Sequence, residues 1–251
     1  MRYGFAGDRQ IAADILQLLI NLEYKPSFLM INSNDTATHN EELVRISGLD
    51  SKNIFTNKDL KTSSFYDTIK NYEVDYIFGI HYPFIIDESL INMPKIGFLN
   101  LHPAYLPFNR GWHTPSWAIY ENTKYGATLH FMSKDLDKGD IIHQKEIEIG
   151  KEDTANTLYK KVLDLEFLTF KEALPELIAL KPNRIKQNND EGTEHKRSDL
   201  ELIREISLNE KIYPLDLIKK IRALTTNNID EAAYFKIDGK KYRIRVEIVK
   251  E

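Results

Sequence analysis

Short apolar runs and helical apolar spacing alternate along the first half of this chain. Residues 2–6, 27–31, 74–80 and 97–101 are runs of the length of single buried strands. Between the first two, Ile11, Ile15, Leu18, Leu19 and Leu22 recur at helical spacing. Residues 41–46 and 65–72 read as further helices and residues 53–55 as a short strand. Strand and helix in alternation predict an α/β fold: a mostly parallel sheet covered on both faces. Residues 128–132 and 141–149 extend the sheet, and residues 155–179 predict one long helix. Its buried face is expected from Leu158, Val162, Leu165 and Leu168, with Pro175 as a possible kink. No internal repeat is visible.

The pattern then breaks. Residues 181–205 are polar, include Asn188-Asn189-Asp190-Glu191-Gly192, and read as a linker. A helix over 214–223 follows. Two β-rich runs, Tyr234-Phe235-Lys236-Ile237 and Tyr242-Arg243-Ile244-Arg245-Val246, then flank Asp238-Gly239, a strong hairpin signal. The expected organisation is a catalytic domain over 1–180, a linker over 181–205, and a helix with a β-hairpin over 206–251. A lone hairpin is marginal in water, so a second copy of the chain is its expected partner.

Composition narrows the chemistry. The 251 residues are 42% apolar and 29% charged, with a formal net charge of −4 and no cysteine. Thiol nucleophiles, disulfides and thiolate metal sites are thereby excluded. The acidic balance gives no bulk reason to expect a nucleic-acid partner. The first residues read directly as a strand with no charged-then-apolar leader, and no apolar run approaches the roughly 20 residues of a membrane span. A cytoplasmic location is expected.

Ligands of open α/β sheets bind beyond the carboxyl ends of the strands, and the chemistry-bearing residues cluster there. In Asn100-Leu101-His102-Pro103, Asn100 and His102 share one face of an extended segment. Pro103 then turns the chain out of the strand. Asp135, Asp137 and Asp140 lie in a loop between two later strands, and a carboxylate from it could reach the imidazole. An imidazole can take a proton from an attacking amine, and an Asn amide can stabilise an oxyanion, so this set suits acyl transfer without a covalent intermediate. No Gly-x-Ser-x-Gly elbow offers a serine nucleophile. On spacing alone, a histidine after a strand is more often a hydrogen-bonded surface residue, and Asp-rich loops are usually solvated turns.

Several ordered motifs change that balance. Asn100-Leu101-His102-Pro103 with Leu106-Pro107, Arg110-Gly111 with Pro115 and Trp117, Gly126-Ala127-Thr128-Leu129-His130, and Asp137-Lys138-Gly139-Asp140-Ile141-Ile142 together resemble the formyltransferase family over about residues 1–180. The family includes glycinamide ribonucleotide, methionyl-tRNA and sugar N-formyltransferases. The resemblance implies a Rossmann-like fold, 10-formyltetrahydrofolate as co-substrate, no metal, and catalysis by Asn100, His102 and Asp137. It implies a pterin site at Phe84, Ile85 and Ile86 with Ser133, Lys134, Asp135 and Asp137, and gives His130 a structural or loop-supporting role. The turn Phe5-Ala6-Gly7-Asp8-Arg9 departs from the Gly-x-Gly-Ser-Asn loop of glycinamide ribonucleotide enzymes. The loop from Leu106 to Trp117 and the C-terminal segment look like the sugar N-formyltransferase group. That likeness implies an amine on a nucleotide-linked dideoxy sugar, with dTDP-4-amino-4,6-dideoxyglucose as the expected acceptor in surface-polysaccharide synthesis. It also implies a homodimer through the hairpin, and Arg9, Tyr105 and Trp112 are the expected substrate contacts. Methionyl-tRNA formylation, or a non-catalytic folate or nucleotide binder, are the alternatives.

Overall fold

A computed structural model describes every residue except Asn189, which falls in the expected linker and lies outside the described residues. In chain order the elements are β1 (Tyr3–Gly7), α1 (Arg9–Asn21), β2 (Phe28–Ile31), α2 (Asn40–Ser47), β3 (Ile54–Thr56), α3 (Ser63–Asn71), β4 (Tyr76–Ile80), α4 (Glu88–Ile91) and β5 (Gly97–His102). Then come β6 (Arg110–Gly111), α5 (Thr114–Glu121), β7 (Tyr125–Phe131), β8 (Ile141–Ile147), α6 (Ala155–Ile178), β9 (Glu194–His195), α7 (Leu200–Ile203), α8 (Pro214–Ala223), β10 (Ala233–Ile237) and β11 (Lys240–Ile244). Seven strands form one sheet in the order β3-β2-β1-β4-β5-β7-β8. The first five are parallel, and β7 runs antiparallel to β5. The α/β class and the mostly parallel sheet are as the periodicity predicts.

The chain packs as two compact units. The first comprises Met1–His102, Thr128–Gln144 and Glu166–Gln187; the second comprises Pro103–Ala127, Lys145–Leu165 and Asn188–Glu251. In the first, β1 and β4 are buried along their whole length, as strands covered on both faces must be. Phe28, Phe65, Ile77, Leu90 and Phe98 form the centre of one of its apolar clusters. In the second, Ala118 and Ile119 of α5, Leu158 and Val162 of α6, and Ala223 of α8 bury one another.

These packing units do not follow the expected boundary near residue 180. The segments around α5 and the first half of α6 pack with the C-terminal part, because their apolar faces meet α8. The expected linker is also corrected. Ile185 exchanges backbone hydrogen bonds of 2.8 and 2.9 Å with Ile141, β9 pairs with β6, and Leu200 is buried. A polar segment reads as linker when its cohesion comes from the backbone, which composition does not display.

Two finer expectations also change. On α6 the buried positions include Leu158, Val162, Glu166, Thr169, Phe170 and Ala173, whereas Leu168 is exposed. The buried stripe therefore runs through an acidic residue that the apolar count skipped. The hairpin forms at Asp238-Gly239, both in the left-handed region as a two-residue turn demands. Its second strand begins at Lys240, opposite Ile237, two residues earlier than expected, because so short a turn leaves no unpaired residues.

Candidate active site

The side chains of Asn100 and His102 leave β5 on one face, while Leu99 and Leu101 are buried on the other. β5 is an inner strand, flanked by β4 and β7, so its backbone is fixed on both sides. Across the antiparallel pair, Asn100 lies directly opposite His130 of β7. The loop from Met132 to Asp140 then returns the chain to β8, carrying Asp137 with a left-handed φ of 53°. Gly139 permits the return: a Cβ there would sit 1.8 Å from the Phe131 carbonyl oxygen.

These elements converge four polar side chains. The His102 Nε2 lies 3.6 Å from Asp137 Oδ2, and both side chains are more than nine-tenths buried. Asn100 Nδ2 is 3.2 Å from His130 Nε2 and 3.4 Å from Asp137 Oδ1. His130 Nδ1 is 2.8 Å from the carbonyl oxygen of Phe131, which can only accept, so Nδ1 carries the proton and donates. In the neutral ring Nε2 is then an acceptor and takes one Asn100 N–H. His130 thus sets which way the Asn100 amide faces, and the second Asn100 N–H points toward Asp137. Three of these residues were expected together from sequence; the orienting bond from His130 was legible only as general loop support.

The expected pterin residues divide. Tyr82 and Phe84 pack with ring centroids 5.1 Å apart in the loop after β4. Ile85 is 96% exposed, whereas Ile86 is buried among Leu90, Tyr82 and Met132. The Ile86 side chain therefore belongs to the core, which leaves its backbone to meet a ligand. Ser133 Oγ donates to the Asp135 carbonyl at 2.9 Å, and Lys134 and Asp135 are exposed.

Arg9, the expected pyrophosphate contact, is exposed at the start of α1 with φ of 71°. Its amide donates to Asp8 Oδ1 at 2.8 Å. Asp8 is buried, which pushes its pKa up. Hydrogen bonds from Asn32, the Arg9 amide and Thr38 outweigh that and hold the carboxyl below its ordinary value. Tyr105 and Trp112 lie in the second unit. Lys124 stands 5.3 Å over the Tyr105 ring, and Arg197 stands 5.2 Å over the exposed Trp112 ring.

Sequence reading missed one buried histidine–carboxylate hydrogen-bonded pair entirely. His81 Nε2, at the end of β4, lies 2.9 and 3.0 Å from the two carboxylate oxygens of Glu166, which is wholly buried. A glutamate on the apolar stripe of α6 was the available signal. Among the described residues no group of three or more His, Asp or Glu could hold a metal ion, and no helix is long and apolar enough to cross a membrane.

Residues 19–174 match the family model described as formyl transferase. The chain belongs to the formyltransferase family. Residues 199–250 match a second model, the N-formyltransferase dimerization C-terminal domain. The methionyl-tRNA formyltransferase of Ehrlichia canis is 35% identical over 192 residues, covering 75% of this chain and 59% of that protein. The dTDP-4-amino-4,6-dideoxyglucose formyltransferase of Mycobacterium bovis is 30% identical over 153 residues, covering 61% and 65%. The chain thus spans less than two thirds of the length of these two relatives. Among solved structures, a 4-N formyltransferase from Francisella tularensis matches with a TM-score of 0.85 at 24% identity, covering 100% of this chain and 98% of that one. An N-formyltransferase from Helicobacter canadensis, solved with folinic acid and dTDP-3-aminofucose, matches with a TM-score of 0.68 at 21% identity, covering 94% and 84%. These likenesses establish the formyltransferase fold, and the family match places Asn100, His102 and Asp137 within its span.

Proposed function

We propose that this chain transfers a formyl group from 10-formyltetrahydrofolate to the amine of a nucleotide-linked dideoxy sugar. The observation that carries the reading is the convergence of Asn100, His102 and Asp137 at the end of β5 in a chain of the formyltransferase family. The formyl donor supplies an activated carbonyl carbon. The imidazole of His102 takes the proton that the attacking amine must lose. Asn100, with one N–H held by His130, turns its other N–H to the oxyanion of the tetrahedral intermediate. Asp137 faces the imidazole and balances its charge once it is protonated. Breaking the carbon–nitrogen bond to the folate completes the transfer, with a proton returned to the folate nitrogen.

A sugar acceptor is favoured by the dTDP-3-aminofucose bound to the H. canadensis relative and by the name of the M. bovis relative. Folate in the donor role is supported by the folinic acid bound to the H. canadensis relative. The specific acceptor we infer is dTDP-4-amino-4,6-dideoxyglucose, for surface polysaccharide made in the cytoplasm; the M. bovis relative carries that name. The E. canis relative favours methionyl-tRNA as the second reading. The purified chain and formyl donor, incubated separately with the dTDP-4-amino sugar, its 3-amino isomer, a UDP-4-amino sugar and methionyl-tRNA, are expected to add one formyl group to the first, seen by mass. Formylation of methionyl-tRNA alone rejects the sugar reading.

We also infer a homodimer built by residues 206–251. Tyr213, Leu215 and Val249 are each at least 75% exposed, and Phe235 and Tyr242 stack on the hairpin with ring centroids 5.4 Å apart. Exposed apolar side chains in one segment mark an interaction surface. Sedimentation is expected to give a dimer for the full chain and a monomer once residues 230–251 are removed. An unchanged oligomeric state in the truncated chain argues against this interface.

A further inference from the structure

We propose that Gln187 is a positioning residue for Asp137, the element that holds the loop between β7 and β8 in its working shape. The inference rests on the formyltransferase reading for what the loop does. Gln187 lies in the segment that composition marks as linker. Its side-chain Nε2 donates to two backbone carbonyls at once, that of Asp137 at 2.8 Å and that of Gly139 at 2.7 Å. One acceptor is the carbonyl of Asp137 itself, where the chain takes its left-handed φ, and the other lies two residues on. A left-handed aspartate persists only where its surroundings over-determine it. Two carbonyl oxygens converging on one point repel each other unless a donor stands between them, and a primary amide offers two N–H groups for the purpose.

The neighbours of Gln187 fasten both ends of the same loop. Before the loop, the Arg184 guanidinium lies 3.6 Å over the Phe131 ring. It also stands 3.5 Å from the Asp140 carboxylate and donates to the Ile96 carbonyl at 3.1 Å. After the loop, Ile185 exchanges two backbone hydrogen bonds with Ile141. Residues 184–187 thus form a strap that grips the start, the bend and the end of the Asp137 loop. The effect on chemistry follows from the distances. Asp137 stands 3.4 Å from Asn100 Nδ2, at the outer limit of a hydrogen bond, and 3.6 Å from His102 Nε2, within ion-pair but not hydrogen-bond distance. A small outward drift takes the carboxylate out of reach of both.

The test uses the full chain carrying Gln187→Met, which keeps the length and loses both donors, and Gln187→Ala as a second variant. We expect either change to lower kcat roughly tenfold or more with KM for donor and acceptor within about twofold, because misplacement of a reacting group is felt in the transition state. We also expect faster deuterium uptake in residues 132–140, with the thermal midpoint close to wild type. Unchanged turnover in both variants overturns the proposal, whatever the exchange shows. A fall in kcat without faster exchange also overturns it, since Gln187 would then act by another route. Should wild type formylate no acceptor, the functional reading falls by itself. Exchange then still decides the strap: faster uptake in residues 132–140 supports it, and unchanged uptake overturns it.

Discussion

His102→Ala is expected to lower kcat by roughly 10²-fold or more, the usual worth of a positioned acid–base group. The imidazole is 7% exposed and faces Asp137 at 3.6 Å. Asn100 stays bonded to His130, and Asp137 stays on its loop, so a truncated His102 leaves an intact scaffold lacking only the proton acceptor. Loss of a group used in the transition state lowers kcat and kcat/KM together, with KM little changed. His130→Ala acts differently. It removes the lone pair that orients Asn100 and so weakens stabilisation of the oxyanion while the proton acceptor remains. Steady-state kinetics on the two variants and their double mutant separate the roles. Near-normal turnover in His102→Ala removes it from the mechanism.

Much of this arrangement is visible in the chain before folding. Alternation of apolar runs and helical spacing gives the parallel sheet, because a strand buried on both faces has little choice of residue. Asn100 and His102 are legible for the same reason, since alternation along β5 fixes their shared face. What escaped are contacts to the backbone and side-chain pairs between segments distant in sequence. Gln187 holds its loop through carbonyl oxygens, which every residue possesses, so nothing in its sequence neighbourhood announces them. His195, in the polar stretch, stacks on Trp117 with ring centroids 3.7 Å apart, a pairing that no local pattern encodes. The packing of α5 and α6 with the C-terminal part was hidden for a related reason. The apolar faces of α5 and α6 are evident from spacing, but that they meet α8 is a tertiary choice.

His81→Leu is expected to lower the free energy of unfolding by about 3 kcal/mol or more, because it strands the Glu166 carboxylate in a dry interior. Glu166 is fully buried, and both its oxygens face His81 Nε2 at hydrogen-bond distance. For a chain of this size, that loss corresponds to a fall in the thermal midpoint of roughly 10 °C. Glu166→Gln is the milder change, since an amide oxygen still accepts from the ring and no ion needs a partner. The double variant His81→Leu with Glu166→Met removes both polar groups and is expected to recover part of the stability, the strain of a leucine at the left-handed φ of 51° remaining. Urea unfolding of the three variants checks the order. Wild-type stability in His81→Leu alone would show that Glu166 has no need of its partner. The double variant also carries a functional consequence. His81 takes a left-handed φ of 51° at the point where β4 gives way to the loop bearing Phe84 and Ile85. The pair therefore ties the root of that loop to α6. A stable double variant with a looser root is expected to bind tetrahydrofolate more weakly by calorimetry while keeping its affinity for the acceptor. Equal loss for both ligands would make the pair a matter of stability alone.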